Sequence, residues 1–163
     1  MANTNITEKL AAIVGADWVF DSSSKQAASY IQRFGDTPRA VAKPATVKEL
    51  QRIVKNAHEE GYALWVLPTG TGNGAVVGES EKDIALVDLS RMNKIIEIDP
   101  TAAYALIEPG VTFQQLYDHL QAHHPHLWID CDRNNLNSVS GSISEREYGY
   151  TPFGDRSMMQ CGM

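Results

Sequence analysis

A glycine-rich stretch that directly follows an apolar run constrains the fold of this chain most strongly. The segment LPTGTGNGAVVG occupies residues 67–78, and its Gly70, Gly72 and Ala75 stand at the spacing of a dinucleotide-binding fingerprint. That fingerprint works where a helix begins directly behind the loop, so that the helix N-terminus faces the pyrophosphate. Here AVVGESEKD has no apolar stripe at helical spacing, and a strand pattern resumes by Ile84. Because a parallel crossover needs about a dozen residues, usually helical, the Rossmann interpretation is excluded.

The same stretch keeps the capacity to bind an anion without a helix. Gly70, Gly72 and Gly74 can adopt backbone conformations closed to other residues, and successive amides can then converge into an anion-binding nest. The polar side chains between them are Thr69, Thr71 and Asn73. The alternative is a surface hairpin between two strands, and the loop alone leaves both interpretations open.

Composition excludes several function classes. The chain has 163 residues, 43% of them hydrophobic and 21% charged, which is typical of a globular protein. The net charge of −6 argues against a nucleic-acid binder, so an anionic ligand must be held locally by backbone amides. No apolar run approaches the roughly 20 residues of a membrane span. With two cysteines (Cys131 and Cys161) and no signal peptide pattern, we expect a cytoplasmic protein.

Two amphipathic helices are predicted. In TVKELQRIVKNAHEEG, Thr46 and Glu49 form a capping box and Gly61 supplies the C-terminal stop. The apolar stripe of this helix is Leu50, Ile53, Val54 and Ala57. In TFQQLYDHLQAHH, Thr112 and Gln115 form a second box. The second apolar stripe is Phe113, Leu116, Tyr117 and Leu120.

Short β-branched or aromatic runs bounded by Gly, Pro, Asn or Asp predict strands. They lie at 39–44, 63–67, 83–89, 93–99, 104–110 and 127–130. The order is strand, helix, strand, three strands, helix and strand, which indicates an α+β fold rather than strict alternation. Weaker helical patterns lie at 6–15 and 24–33.

Several separated motifs occur here in one order: KPATVKELQRIVKNAHEEG, the glycine-rich loop, LVDLSRMNKIIEID, AYALIEPGVTFQQLYDHLQ and EYGYTPFGDRSMMQCGM. Together they resemble the FAD-binding (PCMH-type) domain of the vanillyl-alcohol oxidase / p-cresol methylhydroxylase flavoproteins. The resemblance implies an N-terminal α/β subdomain plus the start of a second subdomain. It divides the chain into a helical extension at 1–37 and the FAD-binding domain at 38–163.

The resemblance implies FAD as the cofactor and assigns its contacts to two segments. The first is the glycine-rich loop, whose backbone amides hold the pyrophosphate. The second is the segment from Ser138 to Ser142, which runs beside the cofactor. Pro109 and Gly110 close a strand near the same site. The assigned residues are Pro68, Thr69, Gly70, Thr71, Gly72, Asn73, Gly74, Pro109, Gly110, Ser138, Gly141 and Ser142.

The family's reaction is hydride transfer from the benzylic carbon of a para-substituted phenol, held as phenolate, to flavin N5. Tyr150 matches a tyrosine near the substrate, and Asp132 is the candidate base, although Arg133 stands at the aligned position of the family's Asp. An expected phenol-binding aromatic falls on Ala75. The flavin-facing stretch departs from the family at Gly141-Ser142 and at Arg146-Glu147.

The resemblance also implies that the chain stops before the substrate domain, so we expect it to be truncated and inactive alone. Its expected partners are a phenolic small molecule and either a second copy or the remainder of the flavoprotein. Two alternatives are kept: a non-catalytic module that packs on a partner, and another flavin reductase of the superfamily, for example one acting on sugar nucleotides. The histidines near 119–126 lack a zinc motif, so no metal is predicted.

Overall fold

The computed structural model describes residues 3–30, 38–68, 83–129 and 136–144. The chain divides into two compact units, residues 1–91 and 92–163, and each is described by itself. The first unit contains a four-stranded sheet in the order β1-β2-β4-β3. Its strands are β1 (Val19–Asp21), β2 (Pro38–Ala42), β3 (Ala63–Leu67) and β4 (Ile84–Asp88). The second unit contains the two-stranded sheet of β5 (Ile95–Asp99) and β6 (Tyr104–Ile107).

The centre of the first sheet is β4, whose five residues are all buried. It pairs in parallel with β2 on one side and with β3 on the other, while β1 adds to β2 antiparallel. A strand that is apolar at nearly every position is typical of a sheet covered on both faces. The buried cluster against this sheet consists of Tyr30, Val41, Leu67, Ile84 and Leu86.

The parallel pairing of β3 and β4 decides one alternative left open by the sequence. Ala63 lies opposite Ile84 and Leu67 opposite Asp88, so the two strands run in the same direction. A hairpin joins antiparallel strands, and the surface-hairpin interpretation is therefore wrong. Residues 68–83 therefore connect two parallel strands, so the sequence argument against a parallel crossover after this loop was also wrong.

Helix α2 (Val47–Glu60) begins and ends where the sequence predicts. Thr46 Oγ1 accepts a hydrogen bond from the Glu49 N–H at 3.2 Å, and Gly61 ends the helix in the left-handed conformation with φ 77°. The return bond of the box differs from the prediction, because Glu49 Oε2 accepts from the Ala45 N–H. The stripe is also narrower than predicted: Val54 is 52% exposed.

The first thirty residues carry more structure than their weak patterns indicate. Helix α1 spans Asn3–Val14 where a helix over 6–15 was predicted. The antiparallel strand β1 was missed, because three residues are too short for a period-two pattern. Of the helix predicted at 24–33, the described part is a 3₁₀ turn at Lys25–Ala27 followed by helical residues 28–30.

In the second unit, β5 and β6 form an antiparallel hairpin followed by helices α3 (Phe113–His123) and α4 (Val139–Ser144). The N-cap of α3 is Thr112, as predicted, although Gln115 donates its side-chain amide to the Asn93 carbonyl instead of closing the box. The buried centre is Val111, Leu116 and Leu120. Tyr117, predicted for this stripe, is half-buried.

In this unit, one predicted strand is not formed and one helix was not predicted. Leu127 to Ile129 form no strand, although Leu127 and Ile129 pack against the buried centre, and residue 130 lies outside the described part. Helix α4 was not predicted, since its sequence VSGSIS is rich in residues of poor helix propensity. Within the described ranges, no helix has the length and apolar character needed to cross a membrane.

Candidate functional site

The carboxyl ends of the three parallel strands meet at one edge of the first sheet. In open sheets of this kind, ligands bind outside the carboxyl ends of the strands. Pro68, the first residue of the predicted pyrophosphate segment, directly follows β3 at this edge. Leu67 lies opposite Asp88, so the glycine-rich stretch departs beside the end of β4. The rest of the segment (Thr69, Gly70, Thr71, Gly72, Asn73 and Gly74) lies outside the described residues.

A buried carboxylate joins the strand ends at this edge. Asp88 is 1% exposed and accepts hydrogen bonds from the Tyr30 hydroxyl and, at 2.8 Å, from the Ser90 N–H. The Lys43 ammonium, one residue past the end of β2, lies 3.2 Å from Asp88 Oδ2. We call Asp88, Lys43 and Tyr30 the Asp88 cluster. Burial, and then Asp88, raise the pKa of the Tyr30 hydroxyl, which therefore stays a hydrogen-bond donor.

Arg91 extends the cluster on the side of β2. Its guanidinium donates to the Lys43 carbonyl at 2.7 Å and lies 3.8 Å from the centre of the Trp18 ring. The Lys43 N–H in turn donates to the Trp18 carbonyl at 2.9 Å. Backbone and side-chain contacts therefore fix residue 43 from both directions, and a guanidinium over an indole face adds a favourable cation–π contact.

The second unit brings together the other predicted cofactor residues. Ser140 Oγ donates to the Pro109 carbonyl at 2.6 Å, and Ser138 Oγ accepts from the Gly141 N–H at 2.9 Å. Thr112 and Ser138 form an isolated antiparallel bridge beside these bonds. Gly110 is buried, with its N–H donated to the Met92 carbonyl at 2.7 Å. The segments at 109–112 and 138–142 are therefore one hydrogen-bonded structure.

One buried side-chain oxygen of this segment has no hydrogen-bond partner among the described residues. Ser142 is 2% exposed, and among the residues that the structure describes its Oγ makes no hydrogen bond. A buried hydroxyl without a partner costs about 1–3 kcal/mol, so native proteins rarely keep one without a reason. A ligand with polar atoms at this position would satisfy it, which fits the prediction that this segment lies along the cofactor.

The two predicted catalytic residues, Tyr150 and Asp132, lie outside the described residues. The same holds for Ala75, Arg133, Arg146 and Glu147, the positions where the sequence departs from the family pattern. Their roles remain predictions.

Sequence reasoning missed the residues that organise both regions. Asp88 was not predicted as a site residue, and the structure buries it beside the Lys43 ammonium. Tyr30 and Lys43 gave no signal, since they meet Asp88 only in the folded chain. For Ser140 the signal was present, because a serine within SVSGS can bond neighbouring backbone.

The histidines at the end of α3 pair with one another. The His119 and His123 rings stack with centroids 4.4 Å apart, and His123 Nδ1 lies 3.0 Å from the His119 carbonyl. Across the described ranges, no three His, Cys, Asp or Glu side chains are grouped so as to hold a metal ion.

Comparison with known proteins gives the same assignment as the motifs. Residues 38–160 match the family model described as FAD binding domain. The chain is 34% identical, over 96% of its length, to the 4-cresol dehydrogenase [hydroxylating] flavoprotein subunit of Pseudomonas putida. Among solved structures it resembles 4-ethylphenol oxidase from Gulosibacter chungangensis (30% identity, TM-score 0.77) and p-cresol methylhydroxylase with substrate bound (29%, TM-score 0.78), each over 93% of this chain.

The chain spans about a third of the length of these proteins: 31% of the P. putida subunit, and 30% and 31% of the two solved structures. The structural likeness confirms the α+β fold of the PCMH type, and the family match confirms FAD as the cofactor. The unpartnered Ser142 hydroxyl and the strand edge before Pro68 are compatible with such a ligand. The chain belongs to the FAD binding domain family, within the group that contains p-cresol methylhydroxylase.

Proposed function

We propose that this chain supplies the FAD site of an oxidoreductase that acts on a para-substituted phenol. The observation that carries the proposal is similarity over nearly the whole chain to proteins named for 4-cresol and 4-ethylphenol. The motif GYTPFGD at 149–155 supports the phenol group against other flavin reductases.

Each unit carries its own set of proposed FAD contacts. In the first unit, the backbone amides of residues 69–74 would hold the pyrophosphate, with Pro68 fixed at the strand edge. In the second, Ser142 Oγ would bond the cofactor, while Ser138 and Ser140 hold the segment against Gly141 and Pro109. These contacts are mostly uncharged, which suits an acidic chain that binds an anionic ligand.

Bound FAD would supply the hydride acceptor, flavin N5. The chain's task is then to orient the phenol and to stabilise its phenolate oxygen. We propose that the Tyr150 hydroxyl donates a hydrogen bond to that oxygen and that Asp132 accepts a proton from the substrate.

We also propose that residues 38–163 form the FAD-binding domain and residues 1–37 a helical extension, whose strand β1 joins the sheet at β2. Because the chain spans about a third of its relatives, we propose that phenol oxidation needs further polypeptide, either a second copy or the remainder of the flavoprotein. We expect the protein to work in the cytoplasm.

The test of the activity is anaerobic reduction of bound flavin by phenols. The protein would be isolated from its own cells with any associated polypeptide, and its absorbance followed after mixing with 4-ethylphenol or 3-ethylphenol. Only the para isomer can release a hydride to give a neutral quinone methide, so we expect bleaching with 4-ethylphenol alone. Equal reduction by both isomers, or retained FAD that no phenol reduces, would contradict the proposal, and the second result would favour a non-catalytic module.

The test of the nest is flavin retention after gel filtration of the FAD-loaded chain. Replacing Gly72 and Gly74 by valine should abolish retention, because β-branched residues cannot adopt the conformations that converge the amides. Gly78→Val, in the same stretch but outside the proposed contacts, is the matched control and should retain flavin. Loss with the control, or retention by the double variant, would contradict the assignment of residues 69–74.

A further inference from the structure

The Asp88 cluster places a negative charge at the edge where an anionic cofactor is proposed to bind. Asp88 ends β4, is 1% exposed, and lies opposite Leu67, the residue before Pro68. An unbalanced carboxylate in partly buried surroundings would repel a nearby phosphate, since water screens it poorly there. The edge can serve an anion only if this charge is balanced.

Lys43 provides that balance from a fixed position. Its ammonium lies 3.2 Å from Asp88 Oδ2, and its side chain is 21% exposed. Among the residues that the structure describes, the other groups bonded to Asp88 are the uncharged Tyr30 hydroxyl and the Ser90 N–H. Arg91 holds the Lys43 carbonyl, which keeps the residue at the end of β2.

The same contacts tie the three parallel strand ends together. Asp88 belongs to β4, Lys43 follows β2, and β3 is joined through the Leu67–Asp88 pairing. Hydrogen bonds to a charged group are stronger than neutral ones, and a carboxylate that binds three donors fixes their positions.

We propose that Lys43 is a positioning residue for FAD: its ammonium neutralises Asp88 and fixes the strand edge from which the pyrophosphate segment departs. The inference rests on the proposed binding of FAD by this chain. Lys43 acts through Asp88, and its role requires a positive charge without requiring contact with the cofactor.

The test measures FAD dissociation constants of the whole chain by fluorescence titration, well below the melting temperature of each variant. Lys43→Met should weaken FAD binding by about tenfold, the effect of one unbalanced charge near the site. Lys43→Arg should bind nearly as the unaltered chain does, because the charge is kept. Lys43→Met combined with Asp88→Asn should also recover affinity, because both charges are gone. Lys55→Met, an exposed lysine of α2, is the matched control.

Three results would overturn the proposal. Unchanged affinity of a folded Lys43→Met chain would show that the charge balance is irrelevant. A folded double variant that still binds about tenfold more weakly would show that Lys43 contacts the cofactor directly, by the same arithmetic of one charge. If the unaltered chain bound no FAD, the proposed function would fail together with this inference. Should Lys43→Met fail to fold, the double variant still tests the proposal, because a loss of FAD affinity in a folded chain that lacks both charges would contradict it.

Discussion

The two regions that carry the proposed FAD contacts satisfy their buried polar groups in opposite ways. At the sheet edge of the first unit, the Asp88 carboxylate has three donors, supplied by Tyr30, Lys43 and the Ser90 N–H. In the second unit, Ser142 Oγ is equally buried and has no partner among the described residues. A closed polar network stabilises the fold by itself, whereas an unpartnered buried hydroxyl needs an explanation, and we propose that bound FAD supplies the partner of Ser142.

The largest effect should come from opening the closed network. Asp88→Ala leaves the Lys43 ammonium and the Ser90 N–H without their acceptor, and we expect the free energy of unfolding to fall by about 3–5 kcal/mol. Urea denaturation measures it. Asp83→Ala, which breaks the exposed ion pair with Arg39, is the control and should cost less than about 1 kcal/mol. Equal losses in the two variants would contradict the special role of Asp88.

The pH dependence of stability at alkaline pH tests the burial of tyrosine hydroxyls in the first unit without a change to Asp88. Burial, and then the charge of Glu60, raise the pKa of the Tyr62 hydroxyl to about 12. The unfolded chain releases this proton near pH 10, so between pH 10 and 12 the unfolded state binds fewer protons and stability falls as pH rises, by up to about 1 kcal/mol per pH unit. Tyr62→Phe should flatten this slope in denaturation experiments. Tyr30 contributes in the same direction, so part of the slope remains. An identical slope in the variant would contradict the pKa assignment.

The open hydroxyl should respond in the opposite sense to mutation. Ser142→Ala removes a buried polar atom, so the chain without FAD should be as stable as before or more stable by about 1 kcal/mol. FAD binding should weaken by about five- to tenfold, the value of one hydrogen bond. Ser144→Ala, whose exposed hydroxyl bonds the Ser140 carbonyl, is the control and should leave FAD affinity unchanged. A loss of stability without a loss of affinity would assign Ser142 to the fold.

The smallest effect is expected at Ser140, whose hydroxyl already has a hydrogen-bond partner within the second unit. Ser140→Ala removes the bond to the Pro109 carbonyl, and we expect a loss of about 1 kcal/mol in thermal or urea unfolding. The change should be the same with and without FAD, because the serine acts on backbone. A larger loss in the presence of FAD would show that Ser140 contacts the cofactor.

The sequence predicted the parts of the fold that depend on neighbouring residues. Thr46, Thr112 and Gly61 cap helices through groups three to four positions away, and β3 follows its pattern to the residue. Prediction failed where long-range contacts decide. Val54 stands on the apolar stripe but faces away from the core, and the direction of β3 against β4 depends on which strands become neighbours.

The candidate site likewise contains residues that local motifs predicted and residues that only long-range contacts bring together. Pro109, Gly110, Ser138, Gly141 and Ser142 came from motif resemblance, and the structure brings them into one hydrogen-bonded segment. The Asp88 cluster was not predictable, because Tyr30 lies 58 positions from Asp88 in the sequence and no local pattern links them. The only sequence pattern that indicates the buried Asp88 is an acidic residue at the end of an apolar strand. Acidic residues with several different functions show the same pattern.

We propose that this chain binds FAD through its pyrophosphate. The most direct measurement is calorimetric titration of the unaltered chain with FAD and, in parallel, with riboflavin, which lacks the phosphates and the adenosine. We predict that FAD binds at least about a hundredfold more tightly, since two or more charge-assisted hydrogen bonds to the phosphates are lost with riboflavin. Equal affinity for the two flavins would contradict it.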